Sequence, residues 1–188
     1  MTRRRGLEPD EQALSIPEAN PESVARQILL RRLAQSPRTE HQLREDLHRR
    51  EVPPDVADRV IKRFIEVGLI DDATYAALFV DSRRRLRGTS RRGLRAELRK
   101  RGVDESLIDG ALEDIDDEDE QVLANSLAEK RWGRLRDLPR EVRYRRLMSF
   151  LGRKGFSAAV AGAAVRHTES LPTGESQSPT TSFGYHTD

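Results

Sequence analysis

Leu94-Arg95-Ala96-Glu97-Leu98-Arg99-Lys100-Arg101-Gly102-Val103-Asp104 decides the fold. Leu94 and Leu98 are four apart and share one face of a helix. Gly102 supplies the left-handed residue that ends that helix, Val103 is the apolar residue after the turn, and Asp104 caps the next helix. Leu107, Ala111 and Leu112 then give the next helix its apolar face. The same six apolar positions occur earlier, shifted by 51, as Leu43, Leu47, Val52, Val56, Val60 and Ile61. They occur again, shifted by 53, as Leu147, Leu151, Phe156, Val160, Ala164 and Val165. No copy needs an internal gap. A period near 50 is the mark of stacked supersecondary units, so function is expected on an extended surface and not in a pocket.

Each copy extends backwards to a further helix. Val24, Ala25, Ile28, Leu29 and Leu33 mark one face of the first helix, ended by Ser36-Pro37-Arg38 and followed by Thr39 as a cap. Val52-Pro53-Pro54 makes the next turn. Val56, Val60, Ile61, Phe64 and Ile65 are expected to be buried by the third helix, with Gly68 at its end. Asp71-Asp72 opens the second copy, where Tyr75-Ala76, Phe79-Val80 and Arg83 match Val24-Ala25, Ile28-Leu29 and Arg32, and Ser90 matches Thr39. Ala124, Leu127, Ala128 and Arg131 continue the series. No stretch alternates with period two. The expected fold is all-α: three tandem three-helix repeats in an elongated, curved array. Repeats are expected over 22–70, 71–114 and 115–169, with a flexible tail over 1–21 and a disordered one over 170–188.

The composition suits small serial cores: of 188 residues, 36% are hydrophobic, 5% aromatic and 35% charged. Lys plus Arg total 34, yet only Lys62, Lys100, Lys130 and Lys154 are lysines. The planar guanidinium fork suits phosphate and carboxylate. There is no cysteine, which excludes disulfides and thiol chemistry. Met1-Thr-Arg-Arg-Arg5 resembles the start of a signal peptide, but no apolar segment follows. A cytoplasmic protein with no membrane partner is expected.

Gly68-Leu69-Ile70-Asp71-Asp72, followed by Tyr75-Ala76, Phe79 and Arg83, resembles the RecX family, bacterial regulators of the RecA recombinase. Leu94-Arg95-Ala96-Glu97-Leu98 with Arg101-Gly102-Val103, and Leu43-Arg44-Glu45-Asp46-Leu47, fit the same pattern. The resemblance covers roughly residues 22–168. Glu51 departs from it, standing where Gly102 and Gly155 stand, and the first helix of the third copy has drifted most. The resemblance implies tandem three-helix repeats, no catalytic residue and no cofactor. It also implies a partner, the RecA–DNA filament, whose growth, recombinase, ATPase and coprotease activities such proteins restrain in DNA repair and the SOS response. A monomer binding single- or double-stranded DNA without sequence preference is expected. A free-standing nucleic-acid binder and a helical protein–protein adaptor are the alternatives.

The candidate filament- or DNA-binding residues fall in two groups. Arg83, Arg84, Arg87, Arg91, Arg92, Arg95, Arg99 and Lys100 form the first, and Arg91, Arg95 and Arg99 share a helix face opposite Leu94 and Leu98. Arg131, Arg134, Arg143 and Arg146 form the second, around Trp132, which either stacks on a base or packs between helices. The two groups are expected to make one continuous basic face. The acidic run Glu113–Glu120 is expected to cap the helix that follows. It lacks the glycine of a calcium loop. His41 and His48 are seven apart and have no cysteine partners, so no zinc site is expected, and no P-loop or nucleophile elbow occurs.

Overall fold

A computed structural model describes residues 20–171. The expected tails lie outside the described residues, except where Asn20 and Pro21 begin the first helix and Ser170 and Leu171 end the last. Among the described residues all regular structure is helical. The first repeat comprises α1 (Pro21–Gln35), α2 (Glu40–His48) and α3 (Pro54–Glu66); the second, α4 (Asp72–Arg87), α5 (Arg91–Arg99) and α6 (Glu105–Ala111). The third comprises α7 (Asp117–Trp132), α8 (Arg140–Arg153) and α9 (Ala158–Ser170), with a 3-10 turn at Gly133–Leu135.

The repeated apolar positions form the cores. Leu43, Leu47, Leu94, Leu98, Leu147 and Leu151 are fully buried. Of the eighteen positions in the pattern only Leu107, Ala111 and Val160 are half-buried. Ile65 departs from expectation: it is 43% exposed. It extends the Ala57–Ile61 row by one turn, but it sits in the last turn of α3, just before the chain reverses at Gly68. Val24 is likewise at the surface.

The turn after the second helix is built identically three times. The N–H of Val52, Val103 and Phe156 reaches back to the carbonyl of Leu47, Leu98 and Leu151, at 3.2, 3.3 and 3.2 Å. The preceding residue bonds three back, closing a Schellman motif around a left-handed residue. That residue is Glu51 (φ 58°), Gly102 (φ 73°) and Gly155 (φ 96°).

Packing groups the described residues into two compact units, 20–79 with 97–111 and 80–96 with 112–171, so the middle repeat contributes to both. One kind of junction recurs inside each. In the first unit the N-terminus of α2 docks on the second repeat: Thr39 Oγ1 donates to the Arg101 carbonyl at 2.7 Å, and the Glu40 N–H donates to Asp72 Oδ1 at 2.9 Å. In the second unit the N-terminus of α5 docks on the third repeat. There the Ser90 N–H donates to the Lys154 carbonyl at 3.0 Å, and the Arg91 N–H donates to Glu120 Oε1 at 2.9 Å. Each helix start thereby has an orphan N–H satisfied by a carboxylate from the following repeat.

This junction accounts for the odd residues at both ends of the series. Gly102 faces His41, and Gly155 faces Ser90 and Gly93, because an earlier repeat packs there. Among the described residues no earlier repeat precedes the one that carries Glu51. At the other end, Arg143 and Tyr144 take the register of Ser90 and Arg91, but α8 starts three residues before them. No helix start remains for a fourth repeat to cap.

Thr39 is fully buried and also accepts from the Gln42 N–H at 3.2 Å. Thr39→Ala removes both a cap and a bond between repeats. A loss of about 1–2 kcal/mol is expected in a denaturant titration, with Thr39→Ser recovering most of it. A melt unchanged in Thr39→Ala would show that the junction rests on apolar packing alone.

Candidate functional site

The junction creates the same groove twice, once in each unit. In the second unit a groove of about 450 Å³ is lined by Arg91, Arg92 and Arg95 from α5, by Asp117 and Glu120 from α7, and by Gly155, Ser157 and Val160. In the first unit a groove of about 360 Å³ is lined by Glu40, Ile65, Gly68, Ile70, Asp71, Asp72, Ala73 and Leu107. Glu40 corresponds to Arg91 in the repeat register, and Leu107 to Val160; both of the latter are half-buried pattern positions. Asp72 corresponds in role to Glu120, since each carboxylate receives the docked helix start. The architecture is shared and the decoration is opposite: arginine in one groove, aliphatic and acidic in the other.

The arginine groove is partly neutralised. Glu120 pairs with the Arg84 guanidinium at 3.0 Å, and its side chain is only 12% exposed. Arg92 is exposed but anchored, donating from Nε to the Gly155 carbonyl at 2.9 Å and from a terminal nitrogen to the Phe156 carbonyl at 3.2 Å. Arg91 and Arg95 are half-buried along the wall. Next to Gly155, the Lys154 ammonium bonds the Arg87 carbonyl, and burial, aided by the Arg87 charge, pulls its pKa down. An anion entering here meets the Arg92 guanidinium already held in place, which lowers the entropy cost of that contact.

The other candidates are placed differently. Arg99 is in the first unit, on the exposed side of α5, and is held bidentately by Glu105 at 2.7 and 2.9 Å. Lys100 is exposed beyond it. Arg83 is half-buried and Arg87 exposed near the end of α4. Arg131 lies over the Phe150 ring at 5.2 Å, and Arg143 over the Trp132 ring at 4.4 Å. Trp132 itself is half-buried against the core of the third repeat, so it packs between helices. Arg131 and Arg143 thus secure aromatic rings. Arg134 and Arg146 stand exposed. Three members of the first group, Arg91, Arg92 and Arg95, are brought together in one groove, and none of the second group lines it.

Two features escaped the sequence. Glu120 was legible as part of an acidic start to α7, and Asp116 does cap that helix, accepting from the Asp119 N–H at 2.7 Å. That Glu120 would reach a residue 29 positions away had no local signal. Asp72 was legible as a helix start; its place under Glu40 was not. Burial raises the Asp72 pKa, opposed by the bond from the Glu40 N–H. Asp71 behaves oppositely, its pKa lowered by the Thr74 hydroxyl and N–H. Among the described residues no group of His, Cys, Asp and Glu side chains could hold a metal ion, and no helix is long and apolar enough to cross a membrane.

Comparison with known proteins matches all three repeats. Residues 25–64 match the first three-helix domain of RecX, 71–112 the second and 117–165 the third. The regulatory protein RecX of Thermobifida fusca is 47% identical over 142 residues, spanning 76% of this chain and 77% of the relative. That of Streptomyces coelicolor is 44% identical over 150 residues, 80% of each. The crystal structure of RecX from Lactobacillus salivarius superposes with a TM-score of 0.70 over 81% of this chain and 99% of that one; at 22% identity it shows the fold alone. Three matched domains in order, with such identity across most of the chain, place it in the RecX family of regulatory proteins.

Proposed function

We propose that this protein binds the RecA–DNA filament and restrains its growth, and with it strand exchange, ATPase and coprotease activity. The family's regulatory designation supports RecA as the partner. The observation that carries the binding mode is the arginine groove at the α5 start, with Arg91, Arg92 and Arg95 converging beside the N-terminus of α9. Guanidinium groups and a helix N-terminus both favour anionic oxygen, as on a phosphate backbone. Guanidinium contacts to phosphate carry no base information, so this mode of contact is indifferent to sequence.

The test is RecA-driven strand exchange with this protein added far below the recombinase concentration. Inhibition at that ratio is expected, because stopping a growing filament end affects many protomers. Inhibition only near stoichiometry with DNA would instead indicate coating of free DNA. No effect at any ratio would overturn the reading.

A further inference from the structure

The first unit's groove is the counterpart of the arginine groove, yet it is built to reject phosphate. Glu40, Asp71 and Asp72 line it with three carboxylates and no cation, where the second unit sets three arginines beside Asp117 and Glu120. Glu40 is paired with Arg44 at 2.7 Å and Asp72 accepts from the Glu40 N–H, which leaves Asp71 as the exposed carboxylate. Its floor is aliphatic, formed by Ile65, Ile70 and Leu107. From Ile65 of that lining, the end of α3 and the turn after it expose two further apolar side chains: Ile65, Val67 and Leu69 are 43, 51 and 50% exposed. They stand on a rigid turn, not a loose loop. The Gly68 N–H bonds the Ile65 carbonyl at 2.9 Å, and the Leu69 N–H bonds the Phe64 carbonyl at 2.8 Å. A fixed cluster of half-exposed aliphatic groups costs little entropy to bury, which is how protein interfaces hold their anchors.

We propose that this groove docks protein: it takes a segment of the recombinase that presents an aliphatic or aromatic side chain flanked by lysine or arginine. The apolar anchor fits the floor between Ile65 and Leu107, and the cations meet the carboxylate rim. Asp71 is the most exposed of these carboxylates, and bonds from the Thr74 hydroxyl and N–H lower its pKa further. The two grooves then divide the work, protein at the first junction and phosphate at the second. A phosphate backbone is excluded from the first by charge, and an apolar anchor has no floor in the second, where Val160 is the one aliphatic lining residue.

The inference rests on the reading that this chain engages a recombinase, and the experiment separates the two. Full-length Ile65→Ser/Leu69→Ser, and separately Ala73→Arg, which fills the groove mouth from an exposed position, are compared with the unaltered protein and with Arg91→Ala/Arg95→Ala. Thermal melts confirm folding. Binding is measured to purified RecA without DNA, to the RecA filament on DNA, and to bare DNA. Both groove variants are expected to lose at least 10-fold in affinity for RecA, with and without DNA, while binding bare DNA as before. The arginine variant is expected to bind RecA without DNA as before, while losing affinity for bare DNA and for the filament on DNA. Groove variants that bind RecA like the unaltered protein overturn the docking site and leave the filament reading standing. An unaltered protein that binds RecA in neither form overturns that reading and the docking site with it.

Discussion

Gly155→Ala is expected to lower the melting temperature by roughly 10 °C. Two costs add. The φ of 96° lies where an L side chain is strained, at about 1–2 kcal/mol. The new Cβ would also stand 2.5 Å from Ser90 Oγ and 2.7 Å from the backbone N and Cα of Gly93. A flexible side chain could yield, but helical backbone cannot, and overpacking of this kind costs about 1–3 kcal/mol. Gly68→Ala is the control, since it has nearly the same backbone strain, φ 72°, with nothing within 4 Å of the added carbon. It should lose only the strain component. The converse holds at Glu51, where Glu51→Gly is expected to gain up to about 1 kcal/mol by relieving the same strain. Equal melts for Gly155→Ala and Gly68→Ala would show that the junction between repeats is looser than its backbone contacts indicate.

The largest functional effect is expected from Arg91→Ala/Arg95→Ala/Arg99→Ala. Binding to the RecA–DNA filament should weaken roughly 10-fold or more near physiological salt, and substoichiometric inhibition of strand exchange should be lost. The salt dependence of DNA binding should become shallower by about two counterions, one each for Arg91 and Arg95. Arg99 should add little, because it lies outside the groove. Arg99→Ala alone is therefore the internal contrast. The fold should survive, since Leu94 and Leu98 hold α5 in place and the Arg91 contact to Glu120 is made by its backbone. Inhibition undiminished in the triple variant would exclude α5 from the binding surface.

The helices and their cores were legible because the forces that make them are local and periodic. Leu43 and Leu47, four apart, had to share a face, and so did their two later copies. Thr39 and Ser90 had to cap, because a short hydroxyl side chain before an apolar helix has that use. Ile65 was misjudged by the same logic: periodicity extends a face to the end of a helix, while burial needs something opposite. The candidate site was legible in composition and not in position. Ten basic residues between Ser82 and Arg101 suggested one charged surface. Instead Arg84, Arg85, Arg99 and Arg101 pair with Glu120, Asp81, Glu105 and Glu97. Arg131 and Arg143 likewise turn to Phe150 and Trp132.

By itself the sequence determined a threefold helical repeat, its caps and turns, and an excess of arginine, because hydrophobic period and capping are settled within a few residues of chain. Only the tertiary structure decided which charges are free. Arg84 meets Glu120 across 36 positions, the Glu40 backbone N–H meets the Asp72 carboxylate across 32, and Arg92 meets the Gly155 carbonyl across 63. Such pairings depend on how one repeat docks on the next, and that docking turns one repeated groove into two surfaces of opposite chemistry.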